Sequence, residues 1–379
     1  MNMHRIRGLL TIVSLLYAFP TPAFALDWDI KNLGVLPGAV FSTGTGLNDL
    51  GQVTGEMNYG TIDDGVNRPF TTQYVYISGP NGGPLQLIDT SGVVPGISVY
   101  TASEINYSGQ VIGTYLQGSS TNVGFTTNAN GNGIQHHIGF ARGWDINDSG
   151  TSVHQSTFGG AYVVAPNGDV NMVATDGEPR NIRGINNAGE VAISSEVWSA
   201  EDGFRPVSVN GTALQLYDIN NSGQVLGSLL DDVGSPMNQS PLFVIDPDNT
   251  VHTLNITIDE QSALLGYSLL YGGFKLNDNG QVIGVIRDGQ GTTAFSFLAS
   301  IGTDDVINLS MEEDILAAGW SNITVSDINN LGQISGTGII GGEKRAFLLT
   351  PVPEPETYAM MLAGLSMLGF MRRRKTVSA

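Results

Sequence analysis

Short apolar runs broken by turn residues recur along the whole chain, and one turn is written seven times. Its pattern is apolar, Asn, two turn-forming residues, Gly, polar, apolar. The copies read LNDLGQVTG (47–55), INYSGQVIG (105–113), INDSGTSVH (146–154), INNAGEVAI (185–193), INNSGQVLG (219–227), LNDNGQVIG (276–284) and INNLGQISG (328–336). Anchored on the first glycine they fall at Gly51, Gly109, Gly150, Gly189, Gly223, Gly280 and Gly332. The asparagine side chain can bond the backbone two residues on, and the glycine accepts positive φ without a Cβ clash. This is the chemistry of a type I turn closed by a left-handed residue, a common three-residue hairpin link. In the fifth copy Ile219 therefore ends one strand and Gln224-Val225-Leu226 begins the next, with Val225 facing inward. A second glycine (Gly55, Gly113, Gly227, Gly284, Gly336) falls inside a strand, where it marks close approach of another backbone. The third and fourth copies have His154 and Ile193 there.

An aromatic in an apolar run follows each turn, at Phe70, Phe125, Tyr162, Phe204, Phe243, Phe295 and Phe347. The unit is then strand, turn, strand, variable loop, strand with an aromatic, and a weaker fourth strand such as 85–88 or 172–173. The turn glycines are spaced 58, 41, 39, 34, 57 and 52 residues apart, close to the ~40–50 of four-stranded propeller blades. Seven such units predict an all-β, seven-bladed β-propeller, a closed ring that protects its edge strands. An open β-solenoid is the structural alternative. The last unit ends at Ala346-Phe347-Leu348-Leu349, while a spare strand, 28–36, precedes the first turn. That strand is expected to complete the last blade and staple the ring shut.

The two ends differ from the body. Residues 1–25 read as a secretory signal peptide, a helix with Arg5 and Arg7 before the apolar stretch 9–19 and a small-x-small cleavage site at Ala23 and Ala25. Residues 26–350 read as one repeat domain, and 351–379 as a separate tail. Fifty glycines, 41% apolar residues and few charges suit short strands and turns, and the absence of cysteine leaves an exported domain held by its core and ring closure. Without the two ends the body carries 10 basic and 33 acidic residues, about −23. Such a surface repels phosphate backbones and speaks against nucleic acid as a partner.

In the tail, Val352-Pro353-Glu354-Pro355-Glu356 precedes the apolar run 358–371 and the cluster Arg372, Arg373, Arg374 and Lys375. The run is shorter than the ~20 residues of a comfortable span, and the basic cluster would stay cytoplasmic. As physics this is a short membrane helix acting as a stop-transfer handle behind a flexible cut site. The order resembles the PEP-CTERM sorting signal of Gram-negative bacteria, with the triplet at Pro353, Glu354 and Pro355. The resemblance implies transient passage at the inner membrane, processing by an exosortase-type enzyme, and a producer of exopolysaccharide matrix. The body resembles the extracellular HAF repeat proteins, whose Ile-Asn-x-x-Gly-Gln-Val-x-Gly turn and Ala-Phe-Leu strand stand at 328–336 and 346–348. The histidine of that pattern is absent, since Arg345 precedes Ala346. This second resemblance implies a fold and a surface location without an activity.

Candidate chemistry is sparse. Asp145-x-Asn147-x-Ser149-Gly150 and Asp218-x-Asn220-x-Ser222-Gly223 match the start of a calcium loop, but the twelfth place holds Ser156 and Leu229 instead of a bidentate acid. The equivalent leading positions of the first and sixth copies are Gly46 and Lys275. A turn-forming asparagine explains all seven copies, so no cofactor or metal is expected, and calcium-dependent adhesion is the weaker alternative. His136 and His137 would point to opposite faces of a strand, and the chain lacks HExxH, GxSxG and phosphate-loop motifs. Adjacent acids (Asp63-Asp64, Asp231-Asp232, Asp304-Asp305, Glu312-Glu313-Asp314) read as solvated surface rather than a glycosidase pair. Trp144 and Trp320 read as blade-packing residues. The expectation is an exported, non-enzymatic surface or matrix protein whose loops bind polysaccharide or protein, with a polysaccharide lyase or hydrolase at the ring's mouth as the alternative.

Overall fold

The computed structural model describes residues 27–62, 70–89, 100–117, 121–173, 181–230, 241–254, 256, 268–269, 273–287, 294–303 and 305–352. The signal helix with Ala23 and Ala25 lies outside the described residues. So do the tail helix with Pro353, Glu354, Pro355, Arg372, Arg373 and Arg374, and the acids Asp63, Asp64, Asp231, Asp232 and Asp304. Among the described residues no helix is long and apolar enough to cross a membrane.

Residues 28–350 form one unit of seven antiparallel sheets. In blade 2, strands Tyr100–Ile105, Val111–Gln117, Thr121–Thr127 and Ile134–Gly139 follow one another outward; blades 3 and 4 repeat the order, and blade 5 does so with a short extra strand, Ser208–Val209, paired to its first. The first strand of each blade touches the first strands of its neighbours, so these strands line the centre. Blade 7 takes Trp320–Ile328, Ile334–Ile340 and Glu343–Val352 from the end of the chain and its outer strand, Asp27–Asn32, from the beginning. The expected closure is therefore present, over a somewhat shorter strand than the sequence suggested. Trp28 anchors it: its ring is buried, and its backbone N–H donates to Asp314 at 3.0 Å.

The core lies between blades, not within one. Val75, Ile77 and Ile88 of blade 1 pack on Tyr100, Ala102 and Tyr115 of blade 2; Leu226, Leu242 and Val244 of blade 5 pack on Phe274, Val282 and Phe297 of blade 6. Both faces of a middle strand are covered, which is why Val225 and Leu226 are adjacent and both buried.

All seven turns have the expected geometry. The first glycines hold φ between +68° and +83°, and each donates to the carbonyl of its asparagine, as Gly51 does to Asn48 at 2.9 Å. The second glycine also acts as anticipated. A Cβ at Gly55 would lie 1.8 Å from the Thr43 carbonyl oxygen, at Gly113 2.1 Å from that of Thr101, and at Gly336 2.3 Å from that of Thr324. Opposite each of these glycines an aromatic ring covers the gap: Tyr76, Phe125 and Phe347, joined by Phe243 opposite Gly227 and Phe297 opposite Gly284. The aromatic landmark needs correcting in one blade: Phe204 sits on the outer strand Gly203–Pro206 of blade 4. Phe70 and Phe295 lie on the expected strands, Phe70–Ser78 and Ala294–Ser300, but the rings opposite the glycines are Tyr76 and Phe297 on those same strands. The variable loop hides the register, and only pairing with the glycine fixes it.

Candidate functional site

The repeated turns converge at one end of the central channel and build it as stacked rings. Each turn asparagine makes the same bonds. Its Oδ1 accepts from the backbone N–H four residues on, for instance Gln52 to Asn48 at 3.0 Å and Gln333 to Asn329 at 2.9 Å. Its Nδ2 must then point outward. There it donates to the side chain four residues on in six of the turns. It donates a second time to the backbone carbonyl of the next blade's asparagine. Asn48 reaches Asn106, Asn106 reaches Asn147, and so on round the ring until Asn329 returns to Asn48, over distances of 2.9–3.2 Å. The circle closes with every asparagine buried.

The residue after each asparagine repeats the device. Its backbone N–H donates to the side-chain oxygen of its counterpart on the next blade at 2.7–2.9 Å, from Tyr107 to Asp148 round to Asn330 and Asp49. Tyr107 has no carbonyl-type oxygen to offer Asp49, and the outer ring breaks there. These residues surround a small funnel of about 160 Å³, floored by the apolar residue before each asparagine, such as Ile105, Ile146 and Ile219.

One step deeper the ring is charged. Glu104, Asp145, Asp218, Lys275 and Asp327 occupy five equivalent positions, with Gly46 and Gly184 at the other two. Lys275 of blade 6 crosses the channel and pairs with Glu104 of blade 2. The aspartates bridge neighbouring blades instead: Asp145 accepts from the Ile185 N–H at 2.8 Å, Asp218 from Leu276 at 2.9 Å and Asp327 from Leu47 at 2.6 Å. Asp145 and Asp218, the leading residues of the calcium-type pattern, are thus engaged with backbone of the next blade. Burial pushes Glu104 and Asp327 up, Asp327 far, with the nearby Glu104 carboxylate adding to the rise of Asp327. Burial raises Asp218 to about 7, despite the pull of Lys275 and the Leu276 N–H. Lys275 is held far above its ordinary value, because the surrounding carboxylates outweigh the burial that opposes its charge.

The raised acid makes stability depend on pH. An acid whose folded pKa lies above its unfolded value stabilises the fold below the unfolded value, and the gain is lost as pH rises through the folded one. Asp218 therefore favours the fold below pH ~4 and ceases to do so near 7. His154, buried and pushed down to about 3, has the opposite sign and loses stability as pH falls from ~6.5. Urea titrations should show Asp218→Asn gaining on the wild type between pH 4.5 and 7.5. Parallel curves would remove Asp218 from the account.

Beyond the charged ring the channel opens into a second, wider mouth. In five blades the inner strand carries a β-bulge at the residue three before the asparagine. A bulge re-aims the side chain it carries, and the bulged residues Ser103, Trp144, Arg183, Tyr217 and Ser326 all line a cavity of about 420 Å³. Phe274 stands at the same place in blade 6, and Glu104 with Lys275 lies at the cavity's base. Trp144, read from sequence as a packing residue, is 38% exposed here, whereas Trp320 is buried edge-on against Phe347 as expected. The Trp144 indole N–H donates to the Arg183 carbonyl at 3.4 Å. The Arg183 Nε is buried and has no partner among the described residues. None of the described histidines lines either mouth, and Asp314 is spent on the N-terminal strand.

The mouth residues were missed in the sequence because attention went to what the repeat keeps. The signal that could have found them is the variable column three before the asparagine, which holds Thr45, Ser103, Trp144, Arg183, Tyr217, Phe274 and Ser326 in turn.

Fold and site together define a seven-bladed propeller with a bonded, plugged channel. The PEP-CTERM protein-sorting motif matches residues 351–375, which marks the chain as directed to the cell surface and implies an exosortase-type processing system. No curated protein matches the chain. Solved structures of similar fold include a virginiamycin B lyase from Staphylococcus aureus, 8% identical with a TM-score of 0.48, covering 86% of this chain and 100% of its own. Others are the Dos1 propeller (10%, TM-score 0.44, 85% and 95%) and a fungal alcohol oxidase of the AA5 family in complex with copper (11%, 0.44, 86% and 76%).

Proposed function

We propose that the protein is a non-catalytic component of an extracellular polysaccharide matrix, released to the surface of a Gram-negative cell after cleavage near Pro353-Glu354-Pro355. It binds polysaccharide or a matrix protein through the loops and mouth of its ring. The observation that carries this reading is the sorting motif on a closed scaffold whose channel acids are taken up in holding blades together. A glycoside hydrolase needs two carboxyls free to act across a substrate, whereas Glu104 is tied to Lys275. The resemblance of the turns to HAF-type extracellular repeats supports a surface role.

One observation favours the alternative, a polysaccharide-active enzyme: Glu104 and Lys275 lie at the base of a mouth walled by Trp144 and Tyr217. A single experiment separates the two. The exported chain is passed over the producer's own exopolysaccharide, with retention and the release of reducing or unsaturated ends followed together. Retention without product is expected; product release that is lost in Glu104→Gln would make it an enzyme.

A further inference from the structure

We propose that the wide mouth is a blind pocket for the terminal residue of a neutral saccharide chain, its ring stacked on Trp144 and its oxygens bonded by Arg183. The proposal rests on the matrix-binding reading and deepens it by naming the site and the part of the polymer that enters.

Four independent features converge on that ligand. The first is the row of bulges, which turns five side chains of different chemistry into one cavity while the rest of the unit repeats. The second is Trp144, which is 38% exposed and lines that cavity, whereas Trp28 and Trp320 are buried. An indole face accepts the C–H face of a pyranose, as aromatic groups do at interfaces that are half apolar and half wet.

The third feature is Arg183. It lines the cavity beside the tryptophan and brings guanidinium donors to its wall. A ring oxygen or hydroxyl of a bound sugar can accept from that guanidinium, with the hydroxyls of Ser103 and Ser326 also on the wall. A cavity of about 420 Å³ with one aromatic wall and a few polar groups lies in the range of small-ligand sites.

The fourth feature is the base. The Lys275–Glu104 pair and the closed asparagine ring beyond it block the channel, so a polymer cannot thread through and only a chain end or branch fits. Charge then selects the sugar. The carboxylates gathered round Lys275 oppose a uronate at the base, and Arg183 on the wall opposes an amino sugar.

The test uses the exported chain with glucan, mannan and galactan oligosaccharides of two lengths, oligogalacturonate and chitosan oligosaccharide, read by tryptophan fluorescence and calorimetry. At least one neutral series should bind, with equal affinity per chain end at both lengths. Trp144→Ala should weaken it at least about tenfold, the range of a buried aromatic anchor, while Trp144→Tyr stays within a few-fold. The wild-type fluorescence change at saturation keeps the test valid should the alanine variant fold poorly. Affinity scaling with polymer length, preference for oligogalacturonate or chitosan, or an unchanged Trp144 signal overturns the pocket. If Trp144→Ala still holds the producer's polymer as the wild type does, the pocket falls and the matrix-binding reading stands. If the wild type holds no polysaccharide, both fall.

Discussion

Replacing Lys275 with methionine is expected to cost about 3–5 kcal/mol of stability, the usual loss when one partner of a buried ion pair is removed. The ammonium pairs with Glu104 and faces Asp145, Asp218 and Asp327, so its removal leaves only like charges in the ring. Methionine nearly matches the lysine in length, so a packing change alone would cost under ~1.5 kcal/mol. The larger loss would report charge. Adding Glu104→Gln should return part of the stability, because one of the stranded acids is then neutral. The deficit of the single variant should also shrink in acid, where the raised carboxylates of Glu104, Asp218 and Asp327 take up protons. Urea midpoints at pH 5 and 7.5 for the two variants and the wild type decide it. A Lys275→Met loss below ~1 kcal/mol at both pH values would mean that the backbone N–H bonds alone hold the acids in place.

How much of this was visible in the chain follows from the range of each interaction. The hairpin turn is local: an asparagine and a glycine within four residues determine it, and each copy can be read without the others. Blade number and closure follow from counting those turns and finding one strand too many at the start. The channel is not local. Lys275 meets Glu104 across 171 residues, and nothing near either one signals the other. Asp145 and Asp218 drew attention as calcium-type ligands because they stand beside the turn, yet the ring aims them at the next blade. Trp144 was misread for a related reason. A tryptophan just before a turn segment reads as a packing residue, but here a bulge turns it into the channel. The aromatic landmark marked the right strand at Phe70 and Phe295 but not the ring that faces the glycine, because a loop of unfixed length separates strand and turn.

The asparagine ring also explains why this residue, and neither serine nor aspartate, opens every turn. Asn329 uses all of its hydrogen-bonding capacity: Oδ1 accepts from Leu331 and Gln333, and Nδ2 donates to Gln333 Oε1 and the Asn48 carbonyl. Asn329→Ala strands those partners, most of them buried, at about 1–3 kcal/mol for each buried group left unsatisfied. A total loss of roughly 3–5 kcal/mol is expected. Asn329→Asp should be nearly as harmful, since it keeps the two accepted bonds but turns a carboxylate oxygen toward the Asn48 carbonyl and Gln333 Oε1. Asn147→Ala should cost about 1 kcal/mol less than Asn329→Ala, because Thr151 stands where the other turns offer a glutamine or glutamate acceptor. The circular arrangement makes a further demand on the double variant of Asn277 and Asn329. If the ring acts as a unit, the second break costs less than the first, a coupling that denaturation of the two single variants and the double would reveal. Strict additivity would reduce the ring to seven independent turns that happen to touch.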